Sequence, residues 1–228
     1  MSSEDALDFL VIGAPKSGTT SLFEYLQRHP EISLPPDKEA PYFHDDEVYN
    51  SLAWTDYIRS AFPAPERRRL SGTITPQYMF PVIGAPESGS YDERTLPRRI
   101  RERLPSVRLI AILRDPVERA HSHHGQETRL GFESRSFAEA VDELIQPAEL
   151  ERYRYRVART GGYIALGEYG RILSAYYDTF PRDQILVLFT DTLEQRPLEV
   201  LQRIYGFLGV KSDVAPRNLG KRYNVSAV

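Results

Sequence analysis

Hydrophobic residues along the chain form short continuous runs that alternate with segments of helical periodicity. Residues 9–12 and 107–113 are almost entirely apolar, which is typical of strands buried on both faces of a parallel sheet. After the first run, the apolar residues of segment 19–28 recur at the spacing of one helix face. The start of the chain is therefore predicted to form a strand, a loop over residues 13–18 and a helix.

The same alternation continues along the rest of the chain. The pattern predicts a strand over residues 185–189 and helices over 52–62, from Ser136 to about 146, around 173–180 and over 197–208. Strands that alternate with helices favour a three-layer α/β fold, in which a central parallel sheet of about four or five strands is flanked by helices. The 228 residues fit one such domain, with residues 1–8 expected to be a flexible start.

Two long stretches of the chain lack periodicity. Residues 33–46 contain several prolines, and residues 81–92 contain both proline and glycine. Both are predicted to be loops, and long loops in a compact domain often carry binding residues. We therefore expect a substrate site to be built partly from them.

Composition and charge narrow the classes of function. A formal net charge of −3 provides no overall basic field, which argues against a nucleic-acid partner or attraction to a membrane surface. The lack of cysteine excludes disulfides, thiol catalysis and Cys-ligated zinc. Residues 1–8 are polar and acidic, and no stretch approaches the length of apolar sequence that spans a membrane. We expect a cytoplasmic protein without a secretion signal or a membrane span.

Residues 13–20, Gly-Ala-Pro-Lys-Ser-Gly-Thr-Thr, connect the first predicted strand to the first helix. Backbone N–H groups and the helix dipole at such a junction favour the oxygens of a phosphate group. In the ATP-type phosphate loop a lysine directly follows the second glycine, whereas here Thr19 has that position and Lys16 lies inside the loop. The segment predicts a phosphate site of another type; a plain glycine turn is the alternative interpretation.

A second set of polar residues follows the second predicted strand. Asp115 is suited to cap the next helix, Pro116 to occupy its first position, and Glu118 to complete a capping box. Arg114 at the strand end offers a planar fork of donors to a phosphate group; alternatively, it pairs with Asp115 or Glu118. Arg119 is expected to be a structural ion-pair partner.

These segments resemble two motifs of the sulfotransferases that use 3'-phosphoadenylyl sulfate (PAPS) as the donor. Residues 15–20 match the donor-loop pattern P-K-S/A-G-T-T/S, and residues 113–122, Leu-Arg-Asp-Pro-Val-Glu-Arg-Ala-His-Ser, are similar to the 3'-phosphate motif. The resemblance extends from about residue 9 to residue 209 and is greatest to the branch of bacterial and heparan sulfate sulfotransferases. It implies a P-loop-like sulfotransferase fold, PAPS as the donor substrate and no metal.

The resemblance also implies roles for individual residues. The donor would contact Pro15, Lys16, Ser17, Gly18, Thr19, Thr20 and Ser21 around its 5'-phosphosulfate, and Arg114 and Ser122 at its 3'-phosphate. Lys16 would neutralise charge on the bridging oxygen as the sulfur–oxygen bond breaks. Residues 218–224 are similar to a glycine loop that covers the donor, which makes Lys221 and Arg222 further donor contacts and residues 210–228 a donor-covering segment. An untethered tail is the alternative.

The acceptor must lose a proton as it attacks sulfur, so a general base is expected near the donor. Residues 38–43, Lys-Glu-Ala-Pro-Tyr-Phe, are similar to the family segment K-E-x-x-F/Y-F, in which the glutamate is the base of several heparan sulfate enzymes. The resemblance makes Glu39 the first candidate, and His44 is the second because an imidazole titrates near neutral pH. A solvated pair of Lys38 and Glu39 is the alternative interpretation.

One segment departs from the family pattern. Heparan sulfate relatives have E-K-S/T-P-x-Y where this chain has Thr-Ile-Thr-Pro-Gln-Tyr at residues 73–78, so Ile74 stands in place of a lysine. This difference argues against a heparan-like acceptor. Thr75, Gln77 and Tyr78 are the candidates for acceptor binding, although Tyr78 alternatively belongs to the core.

We therefore expect an enzyme that transfers a sulfuryl group from PAPS to a hydroxyl or amine of a small-molecule, glycan or lipid acceptor and releases adenosine 3',5'-bisphosphate. Two other interpretations stay open: a P-loop kinase or NTPase with Asp115 as the Mg²⁺ ligand, and a noncatalytic nucleotide-binding module. The basic runs at 98–103 and 152–159 favour solvated helix faces. His121, His123 and His124 are predicted to lie on a polar helix surface, and we do not expect them to bind metal. The oligomeric state is left open by the sequence.

Overall fold

The computed structural model of the protein describes residues 7–62, 70–81, 92–156, 159–221 and 223. The strands of its sheet are β1 (Phe9–Gly13), β2 (Ile32–Ser33), β3 (Leu70–Ile74), β4 (Arg108–Leu113) and β5 (Ile185–Phe189). They lie in the order β2-β3-β1-β4-β5, and every pairing between neighbours is parallel. The predicted parallel sheet is confirmed.

Helices connect the strands and cover the sheet. They are α1 (Thr19–Leu26), α2 (Asp46–Ser51), α3 (Trp54–Ala61), α4 (Thr95–Arg103), α5 (Pro116–Arg129), α6 (Phe137–Leu144), α7 (Pro147–Arg154), α8 (Tyr169–Tyr177), α9 (Thr190–Gln195) and α10 (Pro197–Leu208). Short 3₁₀ helices occur at Tyr42–His44, Pro76–Met79, Ala165–Gly167 and Arg182–Gln184. Within the described ranges, no helix has both the length and the apolar character needed to cross a membrane.

Apolar residues fill the space on both sides of the sheet. In β1, Leu10 and Ile12 belong to a core cluster that includes residues of α3, α4 and α8, whereas Phe9 and Val11 belong to a second cluster with α1 and α10. Successive residues of a strand point to opposite faces, so a strand with a core on each side needs an uninterrupted apolar run. The helix layers on the two faces confirm the three-layer α/β fold.

Several element boundaries follow from local signals. The strand β5 and the helix α10 have the predicted bounds, and α10 ends at Gly209, whose φ of 73° suits a left-handed helix cap. The helix α6 begins with the predicted capping box: the Ser136 hydroxyl accepts from the Glu139 N–H, and the Glu139 carboxylate accepts from the Ser136 N–H.

Other segments differ from the sequence-based prediction. The helix predicted over 52–62 is the shorter α3, and α2 precedes it without having been predicted; Leu52, with φ −101° and ψ 126°, has an extended backbone that separates the two helices. The pattern does not predict β3, since its residues Leu-Ser-Gly-Thr-Ile are neither continuously apolar nor alternating. Gly72 of β3 packs closely on β1, where an added Cβ would lie 2.4 Å from the Phe9 ring. Residues 82–91 of the predicted second loop lie outside the described residues.

Strand register brings three connections to one edge of the sheet. Val11 of β1 pairs with Ile110 of β4, and the register shifts between Val11 and Gly13. Leu113, the last residue of β4, pairs with Phe189, the last residue of β5. The carboxyl ends of these strands therefore lie together, and ligands of open α/β sheets bind outside such ends.

Candidate functional site

The loop over residues 13–18 leaves β1 and enters α1 in a left-handed conformation at two positions. Lys16 has φ 65° and Gly18 has φ 86°, and Gly18 is the N-cap residue of α1 without a side-chain hydrogen bond. No N-cap side chain therefore accepts hydrogen bonds from the N–H groups of the first turn of α1. An anion at this position would meet backbone donors and the positive end of the helix dipole.

The ammonium group of Lys16 is held within the site by a short chain of hydrogen bonds. Lys16 Nζ donates to Gln126 Oε1 at 2.5 Å, and Gln126 Nε2 donates to Glu127 Oε1 at 3.2 Å. Glu127 is buried on α5. The donor-loop lysine is thus linked through an amide to a buried carboxylate.

More cations than carboxylates act on the ammonium group of Lys16. Burial lowers the pKa of Lys16, and the charges of Arg129, Arg114 and Lys38 lower it further, whereas Glu127 opposes them. Three cations and one carboxylate thus act on Lys16. The local charge favours an anionic ligand although the whole chain is slightly acidic.

The second predicted motif lies at the start of α5. The Asp115 carboxylate accepts hydrogen bonds from the N–H groups of Val117 and Glu118 at 2.9 and 3.0 Å, and therefore caps the helix as predicted. Glu118 does not complete a capping box, because its carboxylate accepts from Arg114 Nε at 3.0 Å. The predicted alternative pairing of Arg114 with Glu118 is therefore present in the structure.

A single cleft of about 890 Å³ opens above the carboxyl edge of the sheet. The predicted site residues that line it are Pro15, Lys16, Gly18, Thr19, Thr20, Ser21, Glu39, Gln77, Arg114 and Ser122. Ser17, His44, Thr75, Tyr78 and Lys221 do not line it, and Arg222 lies outside the described residues. The structure thus brings the donor loop, the α5 motif and the Glu39 segment to one cleft.

Ser17 lies beneath the loop and is fully buried. Its backbone carbonyl is 2.8 Å from the Thr190 hydroxyl, which is also 3.1 Å from the carbonyl of Leu113. Thr190 begins α9 and lines the cleft. The Thr190 hydroxyl, directly after β5, thus links the donor loop to the end of β4. It fixes the position of the donor loop relative to Arg114, which follows β4.

Glu39 presents an exposed carboxylate at the cleft. Lys38 Nζ donates to one carboxylate oxygen at 3.0 Å, and Gln77 Nε2 donates to the other. The solvated pair of Lys38 and Glu39 considered from the sequence is present, and Gln77 orients the same carboxylate from the 3₁₀ helix that follows β3.

Thr75 and Tyr78 hold the segment that carries Glu39. The Thr75 hydroxyl oxygen accepts from the Ala40 N–H at 3.0 Å, and the Tyr78 hydroxyl donates to the Ala40 carbonyl. Both side chains are buried, because β3 and its 3₁₀ helix turn them beneath the cleft. The two residues predicted to bind acceptor therefore contact the backbone next to Glu39 instead.

His44 is buried beside Phe80. Burial lowers the pKa of His44 to about 4, although the Pro81 backbone and the Asp45 charge act in the opposite direction. Among the described residues, Nε2 of His44 has no hydrogen-bond partner. The imidazole is neutral at neutral pH, and it does not itself line the cleft, although Phe80 beside it does.

The chain near its C-terminal end contacts α1 and contributes two residues to the cleft. The Tyr25 hydroxyl donates to the Lys221 carbonyl at 2.8 Å, and the N–H of Tyr223 donates to Ser21 Oγ at 3.1 Å. Gly220 and Tyr223 line the cleft, whereas the Lys221 ammonium lies 5.1 Å from the centre of the Tyr223 ring. The segment is bound to α1 through its backbone.

Sequence reasoning did not identify several cleft residues. Gln126 and Arg129 line the cleft from the same helix as Ser122, and their spacing of four and seven residues places them on one helix face. That periodicity was the available signal. Arg159 also lines the cleft, with its guanidinium 3.8 Å from Glu127, yet it follows the end of α7 and has no such local signal.

The histidines of α5 have different surroundings. His121 lines the cleft against Phe137, and His124 Nε2 lies 2.9 Å from the Arg135 carbonyl. Burial lowers the pKa of His123 to about 3, and the charges of Arg119 and Lys16 add to this effect. The parts of the chain that the structure describes contain no group of three potential ligands that could hold a metal ion.

Comparisons with known proteins agree with these motifs. A family model described as a sulfotransferase domain matches residues 7–222. The chain is 27% identical over 214 residues to heparan sulfate glucosamine 3-O-sulfotransferase 3B1 of Mus musculus, which covers 92% of this chain and 47% of that protein. The chain therefore spans about half the length of this curated relative.

Solved structures show the same architecture. A sulfotransferase from Alicyclobacillus acidocaldarius matches with a TM-score of 0.76 and 28% identity, covering 96% of this chain and 87% of the other. Mouse sulfotransferase SULT7A1 complexed with PAP matches with a TM-score of 0.55 and 18% identity, covering 94% of this chain and 61% of the other. At this lower identity the second likeness concerns the fold alone.

Proposed function

Because the chain belongs to the sulfotransferase domain family, we propose that it transfers a sulfuryl group from PAPS to a hydroxyl or amine and releases adenosine 3',5'-bisphosphate (PAP). The observation that carries the proposal is the convergence of Lys16, Arg114 and Ser122 on one cleft at the carboxyl ends of β1 and β4. These residues lie nearly one hundred positions apart in sequence, yet they supply donors suited to two separate phosphate groups.

The donor would lie between α1 and α5. The backbone of residues 16–21 and the Lys16 ammonium would bind the 5'-phosphosulfate, while Arg114 and Ser122 would bind the 3'-phosphate. Arg114 would exchange its contact with Glu118, an exposed pair 3.0 Å apart, for charge-assisted bonds to phosphate. Such an exchange costs little, because exposed ion pairs contribute weakly.

The positions of the cleft residues support in-line transfer as the mechanism. The acceptor oxygen or nitrogen forms a bond to sulfur as the bond between sulfur and the bridging phosphate oxygen breaks. The electron pair of that bond passes to the phosphate of PAP, where Lys16 neutralises the new charge. The acceptor proton passes to Glu39, whose carboxylate is oriented by Lys38 and Gln77.

Glu39 is favoured over His44 as the base. Glu39 lines the cleft, whereas His44 is buried beside Phe80. The two candidates are separated by the rates of Glu39→Gln and His44→Gln: the first variant should lose transfer activity, and the second should retain it.

Several classes of acceptor are compatible with the cleft, whereas one donor is proposed. The curated relative named above acts on a heparan sulfate glucosamine, which supports a glycan acceptor; small molecules and lipids are the other acceptor classes. Ile74, at the position of a lysine in heparan sulfate relatives, is fully buried in β3. No cation at that position is available to bind a sulfated sugar, which favours a less anionic acceptor.

The two rival functions differ in their ligands. In a kinase or NTPase, Asp115 would bind Mg²⁺, but its carboxylate already accepts two backbone N–H groups at the start of α5. A noncatalytic module would bind donor without transferring sulfate. The cytoplasmic location expected from the sequence is a prediction that fractionation of the expressing cells would test.

Calorimetry without magnesium tests the donor site first. PAP should bind to the wild type, ATP and adenosine 5'-phosphate should compete poorly, and Arg114→Ala should weaken PAP binding by about tenfold or more, as expected for a lost charge-assisted contact. Arg98→Ala is the matched control, since Arg98 pairs with Asp92 on an exposed surface and does not line the cleft.

Turnover tests the reaction itself. Wild-type protein and PAPS should sulfate at least one member of a panel of sugars, phenols and lipid alcohols, and Lys16→Ala should abolish the transfer. Magnesium-dependent ATP binding would favour the kinase function. PAP binding without transfer to any panel member would favour the noncatalytic module.

A further inference from the structure

Arg119 is the largest fully buried side chain that carries a charge. It is 0% exposed, and its Nη2 donates to the Tyr163 carbonyl. Among the described residues, Nε and Nη1 have no hydrogen-bond partner and no carboxylate acts on the guanidinium. The sequence favours an ion-pair role for Arg119, and the structure corrects this expectation, because its hydrogen-bond partner is a neutral carbonyl.

The position of Arg119 connects it to both predicted phosphate contacts. Its backbone N–H donates to the Asp115 carbonyl at 2.8 Å in the first turns of α5. The guanidinium acts on the hydroxyl of Tyr169, which itself lies beside the Ser17 side chain and the Arg114 backbone. Its charge also acts on His123, which lines the cleft. Arg119 therefore lies in the same helix as Ser122, and its guanidinium is within electrostatic range of His123, a residue that lines the cleft.

A buried guanidinium in this position retains its charge. Burial lowers the pKa of Arg119 to about 10, so the group stays protonated at neutral pH. Removing such a charge from water is costly unless another charge compensates it. One hydrogen bond to a neutral carbonyl compensates the charge only in part, and because the group is fully buried, bulk solvent screens its field weakly.

We propose that Arg119 is a fixed positive charge of the donor site whose counter-charge is supplied by the phosphate groups of the bound donor. This inference rests on the proposed function, because it needs an anionic nucleotide in the cleft. Arg119 acts through space and does not touch the donor, so it is a positioning and charge-balancing residue. In the ligand-free protein its charge is a local cost that donor binding offsets.

Two variants separate the charge from the hydrogen bond. Arg119→Gln removes the charge but leaves an amide N–H that can donate to the Tyr163 carbonyl, whereas Arg119→Lys keeps the charge on an ammonium group and loses the planar fork. By calorimetry at low salt, Arg119→Gln should weaken PAP binding about tenfold, and Arg119→Lys should stay within about threefold of the wild type. Without ligand, Arg119→Gln should unfold at the same or a higher temperature, because an uncompensated charge has been removed.

A purely structural role gives the opposite pattern. In that case Arg119→Gln would unfold at a lower temperature without ligand yet bind PAP as the wild type does, and this result would overturn the inference. Equal weakening in Arg119→Gln and Arg119→Lys would also overturn it, since the geometry of the fork rather than the charge would then be required. A wild type that fails to bind PAP would instead refute the proposed function.

Tyr169→Phe keeps the test decisive if Arg119→Gln does not fold. This variant removes the hydroxyl between Arg119 and Ser17 without changing the charge. Through-space action predicts PAP binding within about twofold of the wild type, because the hydroxyl carries no net charge. A loss of tenfold in Tyr169→Phe would show that a hydrogen-bonded network carries the effect, and would overturn the inference.

Discussion

Replacing Tyr78 by phenylalanine tests how the Glu39 segment is held. The Tyr78 hydroxyl donates to the Ala40 carbonyl, and the two residues are only 2% and 6% exposed. Burial raises the pKa of Tyr78, so the hydroxyl remains a donor at neutral pH. Tyr78→Phe leaves a buried carbonyl without this partner, at a cost of about 1–3 kcal/mol.

That cost converts to a measurable change in thermal stability. For a chain of 228 residues, each kcal/mol lowers Tm by roughly 2–4 °C, so Tyr78→Phe should melt roughly 2–12 °C below the wild type. Because Ala40 follows Glu39 directly, the carboxylate should also lose its position. We expect kcat to fall about tenfold while the Kd for PAP stays unchanged.

Tyr205→Phe is the matched control for this experiment. Tyr205 is also fully buried, but its hydroxyl has no hydrogen-bond partner within the described part of the chain. Removing this hydroxyl should change the free energy of unfolding by less than about 1 kcal/mol. The Tm should therefore move little, and kcat should stay the same. Equal melting temperatures for Tyr78→Phe and the wild type, with a raised KM for the acceptor, would refute the reasoning and favour direct acceptor binding by Tyr78.

Two further predictions concern pH and backbone conformation. Folding lowers the pKa values of His44 and His123 from 6.5 to about 4 and about 3. Because the folded protein favours the neutral imidazoles, their contribution to protein stability is fully present above pH 6.5 and is lost as the pH falls from 6.5 towards these values. His123→Asn should therefore flatten the dependence of Tm on pH in this range, and an unchanged slope would contradict the assignment. Gly18→Ala and Gly209→Ala both place a side chain at positive φ, 86° and 73°, and each should cost about 1–2 kcal/mol in denaturant unfolding. Only Gly18→Ala should also weaken PAP binding in calorimetry, because Gly18 lines the cleft; equal binding by both would argue against a phosphate at the loop.

The sequence predicts those parts of the fold whose signals are local. The continuous apolar run of β5 and the glycine after α10 define their elements directly. In contrast, β3 forms because its backbone pairs with β1 and Gly72 admits the Phe9 ring, and these contacts join residues distant in sequence. The break at Leu52 likewise has no glycine or proline to mark it.

The same distinction applies to the candidate site. The donor loop and the α5 motif are each a continuous stretch of sequence. Their residues can therefore be recognised before their positions in the fold are known. Whether Thr75 faces the cleft or the Ala40 backbone depends on how β3 enters its 3₁₀ helix, which the pattern does not specify. Arg159 reaches the cleft through tertiary packing, and the absence of a carboxylate beside Arg119 within the described ranges is likewise a property of the folded chain.

The strand order has a consequence for how the protein is made. β1 is synthesised before both of its neighbours in the sheet, β3 and β4, which begin at Leu70 and Arg108. Until these segments leave the ribosome, an apolar strand with all five residues destined for burial has no partner on either edge. Unpaired apolar strands invite association with other chains. The central place of β1 therefore makes the nascent chain most exposed to aggregation in the interval between the synthesis of β1 and that of β4.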